Sequence, residues 1–139
     1  MSNTNDFIIE NGTLKKYASK TTEPKAIFPE EVHTIGANAF KNCENLIHIS
    51  GTENITHIQR SAFELCSRLE GDLYLTNVTE IEYFAFACCT GKLNIHFSNS
   101  LVALGRFVFF GCNNTTIYAP AGSYAETYAN ENNLPFVAE

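Results

Sequence analysis

One short segment recurs four times in this chain at a constant interval, and no other feature restricts its fold as strongly. The segment SAFELC at 61–66 shows it best: a small residue, a Phe, two intervening residues and a Cys, repeated as NAFKNC, FAFACC and FVFFGC. The columns that advance by this one interval are Phe40, Phe63, Phe86 and Phe109; Cys43, Cys66, Cys89 and Cys112; Ile35, Ile58, Ile81 and Leu104; and Val32, Ile55, Val78 and Leu101. Independent columns in one register establish an internal repeat.

Each unit is too short to enclose a hydrophobic core, and this determines the architecture. Such units bury their apolar faces only by stacking, so that aligned side chains become continuous internal rows. A small residue precedes each Phe, which indicates that the backbones of adjacent coils approach closely there. That column is Ala39, Ala62, Ala85 and Val108. The repeat therefore predicts a solenoid.

A short alternating segment upstream of each block is typical of one strand per coil. The segments are AIFP (26–29), IHIS (47–50), LYLT (73–76), IHFS (95–98) and IYAP (117–120). Because strand side chains alternate between faces, one set points inward and the side chains between them point outward. The residues predicted to face inward are Ile27, Ile47 with Ile49, Leu73 with Leu75, Ile95 with Phe97, and Ile117 with Ala119.

The repeat breaks down at both ends, where a solenoid needs a cover other than a further coil. The N-terminal FIIENGTLKKY contains Asn11-Gly12, a strong hairpin signal, and predicts a hairpin over the first coil. Near the C-terminus, Tyr124 and Tyr128 stand at helical spacing after Ser123, a potential N-cap. We expect a short capping helix there, followed by the packed tail LPFVAE.

Length and composition are those of one ordered unit. With 139 residues, 45% hydrophobic and 17% charged, the chain predicts a single domain. We expect a hairpin cap at 1–25, repeats at 26–120 and a C-terminal cap at 121–139. The formal charge of −6 argues against a nucleic-acid or anionic-membrane surface, because both need a basic face. Neither nucleic-acid binding nor membrane insertion is expected.

The pattern V-x-x-I-G-x-x-A-F-x-x-C after a strand resembles the BspA-like, or Treponema-type, leucine-rich repeats. VHTIGANAFKNCENL (32–46) follows it almost position by position and ITHIQRSAFELCSRL (55–69) nearly so. The likeness extends over about residues 26–120. It implies an α+β, β-rich solenoid, namely a right-handed leucine-rich-repeat superhelix of about five coils with an N-terminal hairpin cap and a C-terminal helical cap.

The same resemblance implies binding without catalysis. Characterised members of that family are mostly secreted or cell-surface bacterial proteins associated with adhesion. Adhesin-like recognition of host or cell-surface macromolecules is therefore the first hypothesis, and an intracellular scaffold or self-associating solenoid is the alternative. The N-terminal MSNTNDFIIE lacks a basic stretch followed by a long apolar one, so a secretory signal is not expected in it.

The cysteine column lacks the geometry of a metal site. Four positions stacked at about 4.8 Å span roughly 14 Å, whereas zinc needs its four sulfurs about 2.3 Å from one point. We predict buried, unreactive thiols; disulfides between neighbouring coils stay open, and Cys88, outside the column, is the candidate for an exposed thiol. No Ser/His/Asp arrangement, H-E-x-x-H motif or P-loop occurs, so neither an enzyme, a metal site nor a cofactor is expected.

One outward residue of each predicted strand is aromatic or an imidazole. The row is Phe28, His48, Tyr74, His96 and Tyr118. One explanation is a ladder of β-favouring side chains that stack on one another, each pair contributing about 0.2–1 kcal/mol. The other is a flat partner-binding strip for a peptide, a glycan or a protein surface.

The last two copies carry apolar side chains where the first two are polar. The replacements are Phe84 and Phe107 for Asn38 and Ser61, and Ala87 and Phe110 for Lys41 and Glu64. One interpretation is that the C-terminal cap folds back over this region. The other is an exposed association patch of Phe84, Phe107 and Phe110, used for a homo-oligomer or for a partner.

Overall fold

The computed structural model describes residues 7–17 and 24–139, and this part of the chain contains twelve strands and one helix. In chain order these are β1 (Phe7–Glu10), β2 (Thr13–Tyr17), β3 (Lys25–Ile27), β4 (Thr34–Ile35), β5 (His48–Ser50), β6 (His57–Ile58), β7 (Gly71–Tyr74), β8 (Glu80–Ile81), β9 (Leu93–His96), β10 (Ala103–Leu104), β11 (Thr115–Ala119), α1 (Tyr124–Glu131) and β12 (Phe136–Ala138). The strands are two to five residues long, because each coil turns soon after every extended stretch.

Each coil contributes strands at two separate positions, called the first and second stations below. The strands of successive coils stack at each position. The first station is a six-stranded sheet in the order β1-β2-β4-β6-β8-β10, parallel except for the β1–β2 hairpin. Its register pairs Thr34 with His57, His57 with Glu80 and Glu80 with Ala103, a step of one repeat each time. The second station is divided into the pair β3-β5 and the four-stranded sheet β12-β11-β9-β7. The sequence predicted only the second station, since two-residue strands are too short to show alternation.

The Phe column forms the internal row that the repeat predicts. Its rings are at most 6% exposed and stack with centroids 5.0, 5.1 and 5.7 Å apart along Phe40, Phe63, Phe86 and Phe109. The preceding small residue lets the backbones approach, because the amide of each inner Phe donates to the carbonyl of the small residue one coil further on, at 2.7 to 2.9 Å. The chain is therefore a β-solenoid of about five turns.

The cysteines of the repeat pack within or against the core, and three of their thiols bond to the backbone. Cys66, Cys89 and Cys112 each donate to the Phe carbonyl 26 residues earlier at 3.0 to 3.1 Å. Burial raises the pKa of Cys43 from 9.0 to about 11 and also raises the pKa of Cys66. All five cysteines, which lie within the described residues, are free thiols. Cys88 is half-buried, and its reactivity stays a prediction.

The first coil departs from the predicted alternation. Ile27, predicted to face inward, is 43% exposed, whereas Ala26 and Phe28 are 0% and 5% exposed. The pairing of β3 with β5 sets Ala26 opposite Ile49, so the inward positions lie one residue away from the predicted ones, and such a shift exchanges the two faces of a strand. Phe28 packs inside, 5.6 Å from the Phe40 ring. The prediction of Phe28 as an outward, partner-binding residue is wrong.

A hairpin covers the first coil, as predicted. Asn11 and Gly12 have φ values of 49° and 77°, the pair of positive angles that a type I′ turn requires. β2 then pairs in parallel with β4, and Tyr17 stacks on Phe40 at 4.9 Å. The second hairpin strand thus takes the place of a preceding coil and completes the internal rows.

The C-terminal cap is a helix followed by a strand. Ser123 caps α1 by accepting from the amide of Glu126 at 3.3 Å, and the Glu126 carboxylate accepts from the amide of Gly122 at 2.7 Å. The helix closes the six-stranded sheet, where the Tyr124 hydroxyl accepts from the amide of Leu104 at 2.9 Å. The segment LPFVAE, predicted as a packed tail, contains β12, which pairs in parallel with β11.

Candidate functional site

Every repeat turns through two positions with a left-handed backbone. The first column is Asn38, Ser61, Phe84 and Phe107, with φ values of 61°, 55°, 57° and 59°. The second is Asn42, Leu65, Cys88 and Gly111, with φ values of 64°, 63°, 61° and 75°. Glycine and asparagine adopt this conformation most readily, because other side chains crowd the backbone. The turn geometry is therefore constant along the solenoid, while the residues that occupy it change.

Phe84 and Phe107 are the exceptional members of the first column. A left-handed backbone costs an ordinary residue about 1–2 kcal/mol, and the earlier coils use Asn38 and Ser61 for the same turn. The repeated coil enforces this backbone in every copy. What distinguishes Phe84 and Phe107 is a large apolar side chain at a turn that the earlier coils make with polar residues, and this makes their surface a candidate for function.

Four aromatic side chains meet at the surface of these turns. Phe84 and Phe107 stack with centroids 5.6 Å apart and 19° between their planes. Tyr83 contacts Phe84 edge-on at 5.8 Å, and Phe110 contacts Phe107 in the same way at 5.9 Å. Tyr83, Phe107 and Phe110 are 47%, 54% and 59% exposed, and Phe84 is half-buried. These four residues are called the aromatic cluster below.

The C-terminal cap leaves the aromatic cluster exposed. α1 packs on the inner row instead, where the Tyr128 ring lies 6.5 Å from that of Phe109 and its hydroxyl donates to the carbonyl of Gly105 at 3.2 Å. The interpretation that the cap folds back over the late phenylalanines is therefore wrong for Phe107 and Phe110. The alternative, an exposed patch, agrees with their exposure, and its use in association stays a prediction.

A groove of about 500 Å³ lies beside the aromatic cluster. Ala103 and Gly105 contribute little or no side chain there, and rings of the cluster line it together with residues of β8. Gly105 has no room for a side chain, since a Cβ would lie 2.7 Å from the amide nitrogen of Tyr83. Gly105 thus lets the two coils approach closely, and the depression lies between the small Ala103 and the aromatic rings.

Two carboxylates and one guanidinium border this groove. Glu80 is exposed, and Glu82 is half-buried with its Oε1 accepting from the backbone amide of Arg60 at 3.0 Å. Arg106 is exposed as well. Within residues 7–17 and 24–139, neither Glu80 nor Glu82 forms an ion pair with a cationic side chain. The groove is therefore apolar along the cluster and acidic along β8.

A second cavity of about 360 Å³ continues the groove across the six-stranded sheet. Its lining includes Thr13, Thr34, His57 and Gln59, and it shares Glu80 and Glu82 with the first cavity. These residues belong to successive coils of the sheet. The two cavities adjoin at Glu80 and Glu82, and together they are called the sheet groove below.

The predicted strip of outward strand residues is not continuous. Tyr74, His96 and Tyr118 stack on successive strands with centroids 4.4 and 4.6 Å apart. His48 is exposed, but its strand belongs to the β3-β5 pair, and Phe28 lies in the core. The strip breaks because β5 and β7 belong to different sheets. Three of the five residues therefore form a row.

His96 is the buried centre of that row, 7% exposed, and both of its ring nitrogens are bonded. Nε2 lies 2.9 Å from Oδ1 of Asp72, and Nδ1 lies 2.9 Å from Oε1 of Glu139. Burial opposes protonation of the imidazole, but the two carboxylates outweigh it and hold the pKa of His96 above 6.5. The hydrogen bond to His96 in turn lowers the pKa of Asp72. The hydrogen-bonding nitrogens of His96 are thus satisfied within the protein. Tyr74, 54% exposed, is the most accessible member of the row.

The described residues contain no group of three or more His, Cys, Asp or Glu side chains placed to hold a metal ion. In the same part of the chain, no helix has the length and apolar character needed to cross a membrane. Among the described residues, the aromatic cluster and the sheet groove are therefore the candidate functional surfaces.

A family profile described as BspA type leucine rich repeat region matches residues 10–134 in six copies. The chain belongs to the BspA-type leucine-rich repeat family. The BspA-type match begins within the hairpin, in agreement with β2 taking the place of a coil. No curated protein and no solved structure matches the chain. BspA-type repeats are generally a non-catalytic scaffold, and the family suggests a protein-interaction or adhesion module.

Sequence reasoning missed the carboxylates of the sheet groove and the partners of His96. Glu80 and Glu82 flank a buried Ile in EIEYF, and this alternation next to two aromatic residues was a usable signal. Asp72 and Glu139 lie 24 and 43 residues from His96, and neither separation is a multiple of the repeat. Only the fold brings those three residues together.

Proposed function

We propose that this BspA-type solenoid is a protein-binding module whose contact surface is the aromatic cluster. The observation that carries the proposal is the stack of Phe84 on Phe107, built on two left-handed turns and open to solvent. The polar residues of the earlier coils make the same turn with less exposed apolar surface. Stability of the isolated chain therefore does not account for these phenylalanines, whereas burial by a partner does.

The composition of the cluster supports this role. Aromatic residues are enriched in the buried centres of protein interfaces, and a few of them supply most of the binding free energy. Covering the exposed half of a side chain such as Phe107 stabilises a complex by roughly 0.8–1.5 kcal/mol. The sheet groove beside the cluster adds a recess into which a partner side chain fits.

Adhesin-like recognition of a host or cell-surface macromolecule is the specific form of the proposal, with a secreted or cell-surface location. It is supported by the general roles of the BspA-type family. The alternative is an intracellular scaffold or a solenoid that associates with itself. The aromatic cluster is compatible with self-association, because an exposed apolar patch can pack against the same patch of a second copy across a two-fold axis.

Capture experiments with immobilised protein test the proposal. A matrix extract and a cell lysate are each passed over wild type, over the double variant Phe107→Asn/Phe110→Ser, and over Tyr74→Ala, which removes a similarly exposed ring from the other sheet. We expect a captured protein that is lost with the double variant and retained with Tyr74→Ala. Capture by the double variant at the wild-type level would reject the aromatic cluster as the contact surface.

Size-exclusion chromatography with light scattering distinguishes self-association from binding to a different protein. A monomer has a mass of 15.4 kDa. A wild type that is larger, together with a monomeric double variant, would assign the cluster to self-association. A strictly monomeric wild type removes the oligomer hypothesis.

A further inference from the structure

The charges of the sheet groove indicate the chemistry of the partner segment that would bind there. We infer that the sheet groove binds an extended segment of a protein partner in which a basic side chain stands next to an apolar one. The inference rests on the proposed function and states what the module recognises.

The shape of the sheet groove suits an extended peptide. The groove runs from Thr13 on β2 to Ala103 on β10 and so crosses five strands. Neighbouring strands are about 4.8 Å apart, which gives a length of roughly 19 Å, and an extended chain advances about 3.3 Å per residue. About six residues therefore span the groove.

The junction of the groove is acidic and therefore favours a cationic side chain. Glu80 lies on β8 and Glu82 follows its last residue, and both side chains line the two cavities of the groove. His57 stands opposite Glu80, but its Nδ1 lies 2.9 Å from the hydroxyl of Thr56, and no ion pair joins it to Glu80 in the described chain. Arg106 reduces the charge around the groove from −2 to −1, which leaves an acidic site on a protein of net charge −6.

The aromatic end of the groove suits the stem of the same side chain. Tyr83 and Phe84 line the same cavity as Glu80 and Glu82, so aromatic and acidic side chains share one groove. Arginine and lysine pack their apolar stems on such rings and keep the charged group near a carboxylate, with a cation–π attraction in addition. The space over Ala103 and Gly105 is then left for an apolar neighbour of the basic residue.

A second copy of this chain is the competing occupant. Its hairpin carries Ile8, 54% exposed, paired across the strands with Lys16. That combination has the same chemistry as the inferred segment. The charge preference is shared by both occupants, so the test must measure peptide binding and the association state of the protein separately.

A nuclear magnetic resonance titration of the isotope-labelled full chain tests the inference. The probe is a six-residue peptide with blocked ends that carries one arginine between two leucines in a serine–glycine background. We expect saturable shifts of the backbone amides of Tyr83, Phe84, Gly105 and Phe107. Peptides with glutamate in place of the arginine, or glycine in place of the leucines, are expected to bind more weakly.

Two variants with the same change in net charge isolate the groove. Glu80→Gln/Glu82→Gln removes both carboxylates and keeps an oxygen able to accept from the Arg60 amide, while Glu44→Gln/Glu53→Gln removes two exposed carboxylates elsewhere. We expect the groove variant to bind the arginine peptide about fivefold more weakly at low salt. The control variant is expected to bind as wild type does, and the amide spectra report directly that both remain folded.

Four outcomes overturn the inference. The first is equal binding of the arginine and glutamate peptides, and the second is a set of shifts outside the groove. The third is a wild type that self-associates through Glu80 and Glu82 and shows no peptide shifts, which assigns the groove to a second copy. If partner capture depends on Phe107 and Phe110 but the charge variants bind normally, the inference fails and the proposed function stands.

Discussion

Two rows of stacked phenylalanines lie two residues apart in the same coils, and their surroundings are opposite. Phe86 and Phe109 stack at 5.7 Å with 12° between their planes, and both are at most 6% exposed. Phe84 and Phe107 stack at 5.6 Å and 19°, with Phe107 54% exposed. The inner row is covered at its C-terminal end by Tyr128, whereas the outer row ends in solvent.

This comparison shows that stacking alone does not reveal the role of a repeated side chain. Both rows stack because the coils superimpose, so ring geometry follows from the repeat. Burial and backbone conformation distinguish them, since only the outer row stands on left-handed turns. The inner row stabilises the fold, and the outer row is available to a partner.

The largest expected effect is in the inner row. Phe63 is 1% exposed and stacks on a ring on either side, so we expect Phe63→Ala to lower the free energy of unfolding by about 3–5 kcal/mol. Urea denaturation measures this change. Tyr74→Ala, which removes an outward ring, is the control, and we expect a loss of less than about 1 kcal/mol. Equal losses in the two variants would mean that the inner and outer faces are reversed.

An intermediate effect on stability is expected at His96, the centre of the outward row, because the carboxylates of Asp72 and Glu139 bond to its ring. The pKa of His96 is above 6.5 in the folded state, so its stabilising effect is complete below pH 6.5 and is lost as pH rises through the folded-state pKa. The pKa of Asp72 is below 3.8 when folded, so its effect is present above pH 3.8 and is lost as pH falls through that lowered value. We expect thermal stability to be highest between these limits and to fall on the alkaline side.

The variant His96→Gln isolates this effect. The difference in melting temperature between wild type and variant should shrink as the pH is raised past the folded-state pKa of His96. His48→Gln, which changes an exposed imidazole, is the matched control and should show no such trend. A difference that is constant across this pH range would show that the two carboxylates do not stabilise the imidazolium.

The smallest effect is expected in the outer row. Phe107→Asn places in coil four the residue that coil one uses at the same turn. Relief of about 1–2 kcal/mol of backbone strain offsets the loss of a stack that contributes about 0.5–1.5 kcal/mol. We therefore expect an unfolding free energy within about 1 kcal/mol of wild type by urea denaturation. A loss as large as that of Phe63→Ala would place Phe107 in the core and remove it as a contact residue.

The sequence predicted the inner rows because their register is repeated without an insertion or deletion. The Phe and Cys columns keep one constant spacing from the first copy to the last, and side chains at equal positions of stacked coils share one environment. The predicted inward and outward faces of the first coil's strand were wrong because Ala26, Ile27 and Phe28 are all apolar. Alternation cannot be assigned in such a run, and the pairing with β5 decides it.

The candidate site was predictable in part. The late phenylalanines were visible as a change of character between copies, but their exposure depended on where α1 packs, and that is a tertiary contact. The left-handed turns were hidden, since Phe84 and Phe107 are not residues from which such a backbone is inferred. The cluster of Asp72, His96 and Glu139 joins segments with no common period, so no pattern in the sequence announces it.

The hydrogen bond from the Leu104 amide to the Tyr124 hydroxyl closes the six-stranded sheet at its last coil. The amide of Leu104 is oriented toward the position that another strand would occupy, and a phenol oxygen occupies its bonding site instead. A parallel stack has no inherent length, because its last rung offers the same template as every rung before it. The hydroxyls of Tyr124 and Tyr128 thus occupy bonding sites on Leu104 and Gly105, and they block the addition of another strand to the six-stranded sheet at this end.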